Sequence, residues 1–166
     1  MRGLVRSQAA AAIVQADGAS PVFGDVLDHD SLVAAMRECD VVVNFATHIP
    51  VGLKMFAPGS LNRVNRIRTI GSQVVVDAAQ EVGIERIVQQ SLSFIYVTAV
   101  SEPLVIAESN ARQLEQSGAT AVCLRYGLIC GDDPNSRYFL KRAKRGKAIG
   151  FGEPGSWMHV VHPDDV

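Results

Sequence analysis

The chain has 166 residues, 48% of them hydrophobic and 20% charged, with a formal net charge of −1. That is the length of a single domain with enough apolar side chains for a packed core, and the balance excludes a disordered segment, a coiled coil and a nucleic-acid-coating protein. No apolar run reaches the roughly 20 residues of a membrane span, Met1 to Arg6 lacks the apolar centre of a secretory signal, and three cysteines without metal-type spacing fit a reduced, cytoplasmic setting.

In chain order, Gly3 to Arg6 reads as a short strand. The alanine-rich stretch from Ser7 to Gln15 is a helix, stopped by Asp17-Gly18. Pro21 to Phe23 is a second strand, and Asp30-Ser31 caps a helix from Leu32 to about Glu38. Val41-Val42-Val43, within Asp40 to Asn44, is an unbroken β-branched run of the kind found in strands buried on both faces. It is therefore expected to be the most buried strand. A long helix follows over Leu61 to Glu81, with Ile67, Ile70, Val74, Val75 and Ala78 on its apolar face and Gly83 as its stop. Then come a strand at Arg86 to Val88, a helix at Ile106 to Gln116 and a strand at Thr120 to Leu124. A basic helix at Arg137 to Arg145 and a short strand at Trp157 to Val161 close the chain. Strand alternating with helix and no hairpin signal predicts one doubly wound α/β domain over residues 1–166, with an open, mainly parallel sheet of about five strands.

Such sheets commonly bind dinucleotides at a glycine-rich turn. The literal match, Gly150, Gly152 and Gly155, follows a helix and precedes a strand, the reverse of what a phosphate cradle needs, and reads as a surface turn. His159, His162 and Asp164 do not make a metal set, because three-residue spacing in a strand points the two rings to opposite faces. Lys141, Arg142, Lys144, Arg145 and Lys147 read as a solvated helix face, with an acidic ligand as the alternative.

Six segments taken in order resemble one family. They are Leu4-Val5-Arg6-Ser7, Gly24-Asp25-Val26-Leu27-Asp28, Asp40 to Thr47, Asp77 to Ser91, Leu124-Arg125-Tyr126-Gly127 to Gly131, and Val161-His162-Pro163-Asp164-Asp165-Val166. Together they resemble the NAD(P)-dependent epimerase/dehydratases, the extended or atypical short-chain dehydrogenase/reductases. The resemblance implies a Rossmann-like sheet that binds NAD or NADP. By the same resemblance, Arg6 meets the adenosine ribose or its 2′-phosphate, and Asp25 and Val26 flank the adenine. Phe45, Ala46 and Thr47 pass under the cofactor, with Ser91, Tyr126 and Leu128 completing its site. The residues alone also allow Arg6 as a strand-end charge, Asp25 as a turn cap and Asn44 to Thr47 as ordinary strand and loop. The implied substrate is a small carbonyl or hydroxy compound or a nucleotide sugar. A homodimer is compatible with this, and neither nucleic acid nor membrane is an expected partner.

The chain departs from the family pattern twice. Met1 falls where the family's second strand begins and Val166 where the family continues, so the domain is expected to be truncated at both ends. Loss of the central first strand would leave two unpaired edges inside the sheet. The family's catalytic Tyr is followed four residues later by a Lys. Here Tyr96, Tyr126 and Tyr138 are followed at that spacing by Val100, Cys130 and Arg142, and the family's Ser, Tyr and Lys positions fall on Leu92, Pro103 and Ala107. Tyr96 is the one candidate acid near the site, and the chain is expected to have little or no turnover of its own. The alternatives are a non-catalytic NAD(P)-sensing regulator and an inactive fragment of a longer enzyme.

Overall fold

The structure, a computed structural model, describes residues 1–50, 52, 54, 57–93, 101–147 and 159–165. Strand β1 (Arg2–Val5) passes into helix α1 (Gln8–Ala16) through Ser7, whose Oγ accepts the Ala10 N–H at 3.2 Å. Strand β2 (Ser20–Phe23) leads to α2 (His29–Met36). The cap of α2 is Asp28 rather than Asp30, which sits in the first turn, where its charge suits the helix dipole. Strand β3 (Val41–Asn44) follows.

The predicted long helix is present, and it is interrupted. Segment α3 (Asn62–Arg66) runs into a π turn at Ile67–Gly71 and on into α4 (Ser72–Val82). A π turn leaves carbonyl groups without their usual partners. Here Ser72 Oγ donates to the Arg68 carbonyl at 2.5 Å, and Asn110 Nδ2 donates to the Thr69 carbonyl at 3.2 Å and to Ser72 Oγ at 2.9 Å. Ile70, expected on the apolar face, is exposed as a result of this offset. Gly83 ends α4 at φ 82°, a left-handed conformation that suits glycine. Then come β4 (Arg86–Leu92), α5 (Ser101–Gln113), β5 (Thr120–Tyr126), β6 (Leu128–Ile129), α6 (Pro134–Ala143) and β7 (Val160–Val161).

Every strand pairing described is parallel, in three separate ladders: β1-β2, β3-β4-β5 and β6-β7. Among the described residues β1 and β3 therefore each keep one unpaired edge. Among the described residues the anticipated single sheet is thus divided between β1 and β3. The chief core lies between β4 and helices α2, α4 and α5, around Leu32, Val76, Ala79, Ile87, Ala111 and Leu114.

One expectation is corrected by this arrangement. Val41 to Val43 do not form the most buried strand: Val41 is 43% and Val43 56% exposed, and Val42 is half-buried. The most buried strand is β4, flanked on both edges, with Ile87 and Ser91 fully enclosed. Burial in a parallel sheet follows from neighbours on both sides, and β3 has one.

Candidate functional site

The C-terminal ends of β1, β2 and β3 converge on a cavity of about 750 Å³. It opens where the ladder order changes direction between β1-β2 and β3-β4-β5, the position at which open α/β sheets bind their ligands. Arg6, Asp25, Val26, Ala46 and Thr47 all line it. The Arg6 guanidinium stands 3.6 Å from Asp25 Oδ2, and Asp25 Oδ1 accepts the Leu27 N–H at 3.0 Å, so the carboxylate fixes the turn after β2 while facing the arginine. Gly24 permits this close approach, since a Cβ there would lie 2.8 Å from Ser31 Oγ and 2.9 Å from a Leu4 methyl.

The other candidates stand apart from that cavity. Phe45 turns its ring edge-on to Tyr126, with centroids 6.0 Å apart and planes at 89°. This contact joins the ends of β3 and β5. Leu128 lies in β6, paired with Val160. Ser91 is buried in β4 and its Oγ has no hydrogen bond of good geometry among the described residues. Tyr96 and the glycine-rich stretch at 150–155 lie outside the described residues.

Residues that sequence reasoning passed over complete the cavity. Ser7 and Ala10, at the N-terminal turn of α1, line it together with Arg63, Arg66 and Ile67 across from them. Arg63 and Arg66 stand three apart on α3, the spacing that places side chains on one helix face. Neither has an ion-pair partner among the described residues. Three arginines and one acidic residue thus line the cavity, beside a helix N-terminus whose first turn carries no acidic residue. Deeper at the strand ends, Asn44 Nδ2 donates to Gln89 Oε1 at 2.8 Å while Asn44 Oδ1 accepts the Ala46 N–H at 3.2 Å. That pair holds the loop carrying Ala46 and Thr47 against the sheet.

An ion pair with an enclosed acid and a partly exposed base stands behind Ser91. Arg125 on β5 donates to both Glu108 oxygens, at 2.8 and 2.6 Å, and the Glu108 side chain is 7% exposed. The Arg125 hydrogen bonds hold the carboxyl below its ordinary range against the opposing effect of burial, and the nearby Ser91 hydroxyl assists more weakly without reaching hydrogen-bond geometry.

A dinucleotide fits this donor set. Its phosphates suit the guanidiniums and the free N–H groups of α1, and its adenine suits the apolar surfaces of Val26, Leu27 and Ile67. Comparison with known proteins agrees. Over 91 residues the chain is 33% identical to 4-hydroxy-2-methyl-3-oxo-4-farnesyl-3,4-dihydroquinoline-1-oxide ketoreductase of Stigmatella aurantiaca, a match covering 55% of this chain and 25% of that protein. In fold it resembles dTDP-glucose 4,6-dehydratase of Streptomyces venezuelae, solved with NAD bound (TM-score 0.71, 19% identity, 95% of this chain and 55% of that one). It also resembles an NADPH-dependent quinone oxidoreductase of Escherichia coli, solved with NADPH (TM-score 0.59, 19% identity, 87% and 43%). The chain therefore spans about a quarter to a half of the length of these proteins. Residues 1–150 match the family model described as NAD(P)H-binding, and the chain belongs to that family.

Proposed function

We propose that residues 1–166 are the cofactor-binding unit of an NADP(H)-dependent reductase acting on a small carbonyl compound. The observation that carries this reading is that three arginines, Arg6, Arg63 and Arg66, line a cavity whose one acidic lining residue is Asp25. A 2′-phosphate adds about −1.5 to −2 charge at neutral pH, which this excess of positive charge favours. The adjacent turn carries no acidic residue to spare for a free ribose hydroxyl, because Asp25 is already engaged by Arg6 and the Leu27 N–H. The carbonyl class rests on the likeness to a ketoreductase.

When bound, the cofactor supplies a hydride. What this chain's residues do is hold it: Arg6 at the ribose phosphate, the N-terminal turn of α1 with Arg63 and Arg66 at the remaining phosphate charge, Val26 beside the adenine, and Ala46 and Thr47 beneath. Titration of the chain with NADPH and NADH, followed by calorimetry, tests this. NADPH is expected to bind at least about ten-fold tighter than NADH. Arg6→Ala removes a charge-assisted contact worth about 1.5–3 kcal/mol, and so should weaken NADPH by roughly 10–150-fold while moving NADH by less than about three-fold. Equal losses for both cofactors, or tighter binding of NADH, would overturn the assignment.

A further inference from the structure

A formal net charge of −1 conceals a division of charge along the chain. Of the 16 basic residues, six lie from Pro134 to Lys147 with no acidic residue among them, and the other ten stand against all 17 acidic residues, a net of −7. Those six belong to α6 and the turn that ends it. The inner side of α6 buries Ser136 and Phe139, and Arg142 lies over Tyr138, its Cζ 5.9 Å from the ring centre. The outer side presents Arg137, Leu140, Lys141, Lys144 and Arg145, spaced by three and four so that they share one face. Together they line an open concavity of about 430 Å³. Arg137 is paired with Asp132 at 3.2 Å, whereas Lys141, Lys144 and Arg145 have no ion-pair partner among the described residues. The helix dipole favours cations in a last turn. It gives no reason for Leu140, which is 57% exposed at their centre.

We propose that this face of α6 docks on the surface of an anionic phospholipid bilayer, with its cations against the headgroups and Leu140 at the acyl boundary. A cluster of roughly four to eight Lys and Arg on one helix face is the pattern that anionic lipid attracts, each cation being worth about five-fold in affinity. The acidic remainder of the chain is repelled by the same surface, so the protein is held by this face and no other. Docking of this kind needs one face and no span. Neither the net charge nor the lack, among the described residues, of a helix long and apolar enough to cross a membrane therefore bears on it. Two other polyanionic partners fit less well. Protein interfaces are poor in lysine and centre on aromatic and arginine anchors, whereas the aromatic side chains of α6 turn inward, Phe139 buried and Tyr138 half-buried against Arg142. Nucleic acid takes cations at its phosphates and stacks its bases on exposed aromatic rings, and an exposed leucine serves neither contact.

The test is co-sedimentation of the 166-residue chain with vesicles of phosphatidylcholine, alone or with about one-third phosphatidylserine, in about 0.1 M salt. The chain should bind the anionic vesicles at least about ten-fold more tightly than the neutral ones, and about 0.5 M salt should release it. The triple variant Lys141→Gln/Lys144→Gln/Arg145→Gln loses three cations and should fall to the level of neutral vesicles, a loss of at least about ten-fold. Its urea unfolding midpoint should barely move, since all three side chains are exposed. Leu140→Ala, at another exposed site, keeps every charge. It should weaken vesicle binding by at least about three-fold and leave binding to heparin, a soluble polyanion, unchanged. No binding to anionic vesicles, equal binding to neutral ones, or a triple variant that binds as the wild type does overturns the proposal. Undiminished vesicle binding by Leu140→Ala overturns it as well, because the face would then be reading charge alone. Tighter binding to duplex DNA or to polyglutamate than to the vesicles at equal charge would assign the face to nucleic acid or to an acidic protein, and so also overturns it.

Discussion

Glu108 and Arg125 show how a side chain can matter to the site without touching it. The pair ties α5 to β5 behind Ser91, and its acid is enclosed while its base is partly exposed. Removing the base leaves a buried carboxylate with only the weaker help of Ser91 and Arg112, against a loss of about 3–5 kcal/mol when both groups of a pair are enclosed. The exposure of Arg125 argues for the lower end, so Arg125→Ala should lose about 3 kcal/mol at pH 7 by urea unfolding. The sign of its pH dependence follows from the depressed carboxyl. A carboxyl lowered in the folded state stabilises above its unfolded value, near 4.3, and that contribution fades as pH falls through the folded value. The gap between wild type and Arg125→Ala should therefore be full at pH 7 and shrink steadily below about pH 4. A gap that widens in acid would mean that Glu108 is not the group held by Arg125. Such a pair is invisible to spacing rules, since its members are 17 residues apart on different elements. Arg63 and Arg66 escaped notice for another reason. Charged residues opposite a helix's apolar stripe read as a solvated face, and only the return of β1 and β2 across from them turns that face into a cavity wall.

The elements were legible in the sequence wherever local chemistry decides them. Apolar runs, alanine-rich stretches and glycine stops place β1 to β5 and the helices within a few residues, and Asp25, Val26, Ala46 and Thr47 do meet Arg6 around one cavity. What depends on distant partners was not legible. The burial of a strand belongs to its neighbours: Val41 to Val43 look like a core strand and stand at an open edge, whereas Ile87, in a plainer segment, is fully enclosed. Ile87→Ala should therefore cost about 2–5 kcal/mol, and Val43→Ala in the same chain less than about 1 kcal/mol. Comparable losses would mean that β3 is covered after all. The π turn is equally non-local. Nothing in Ile67 to Gly71 asks for it, but Asn110, about forty residues on, caps the carbonyl that it frees. Asn110→Leu removes the donor to both Thr69 and Ser72 in a buried place and should cost about 1–3 kcal/mol. It should also speed hydrogen exchange across residues 67–72 ahead of the rest of α4. Uniform exchange along the helix would deny Asn110 that role.

A family-like scaffold and a binding cavity do not by themselves make a catalyst, which also needs a positioned acid or base, and the chain's tyrosines are the groups to test. None has a lysine four residues on. Tyr138 faces Arg142 instead, with the guanidinium 3.5 Å from its hydroxyl, but on α6 and not among the residues lining the cofactor cavity. Pro103 and Ala107, the positions to which the resemblance assigns the family's Tyr and Lys, are both buried in α5. Proton transfer by a phenol depends on a partner that stabilises its anion. Positioned acid–base groups contribute about 10²–10⁴ in rate, so a typical turnover near 10 per second should fall to between about 0.001 and 0.1 per second. We therefore expect the isolated chain to bind NADPH and consume it at no more than that rate. The assay is single-turnover loss of 340 nm absorbance with a panel of ketones, aldehydes and nucleotide sugars. A rate above about 1 per second that Tyr96→Phe abolishes would instead place a working acid at Tyr96 and show that the cavity is a complete active site.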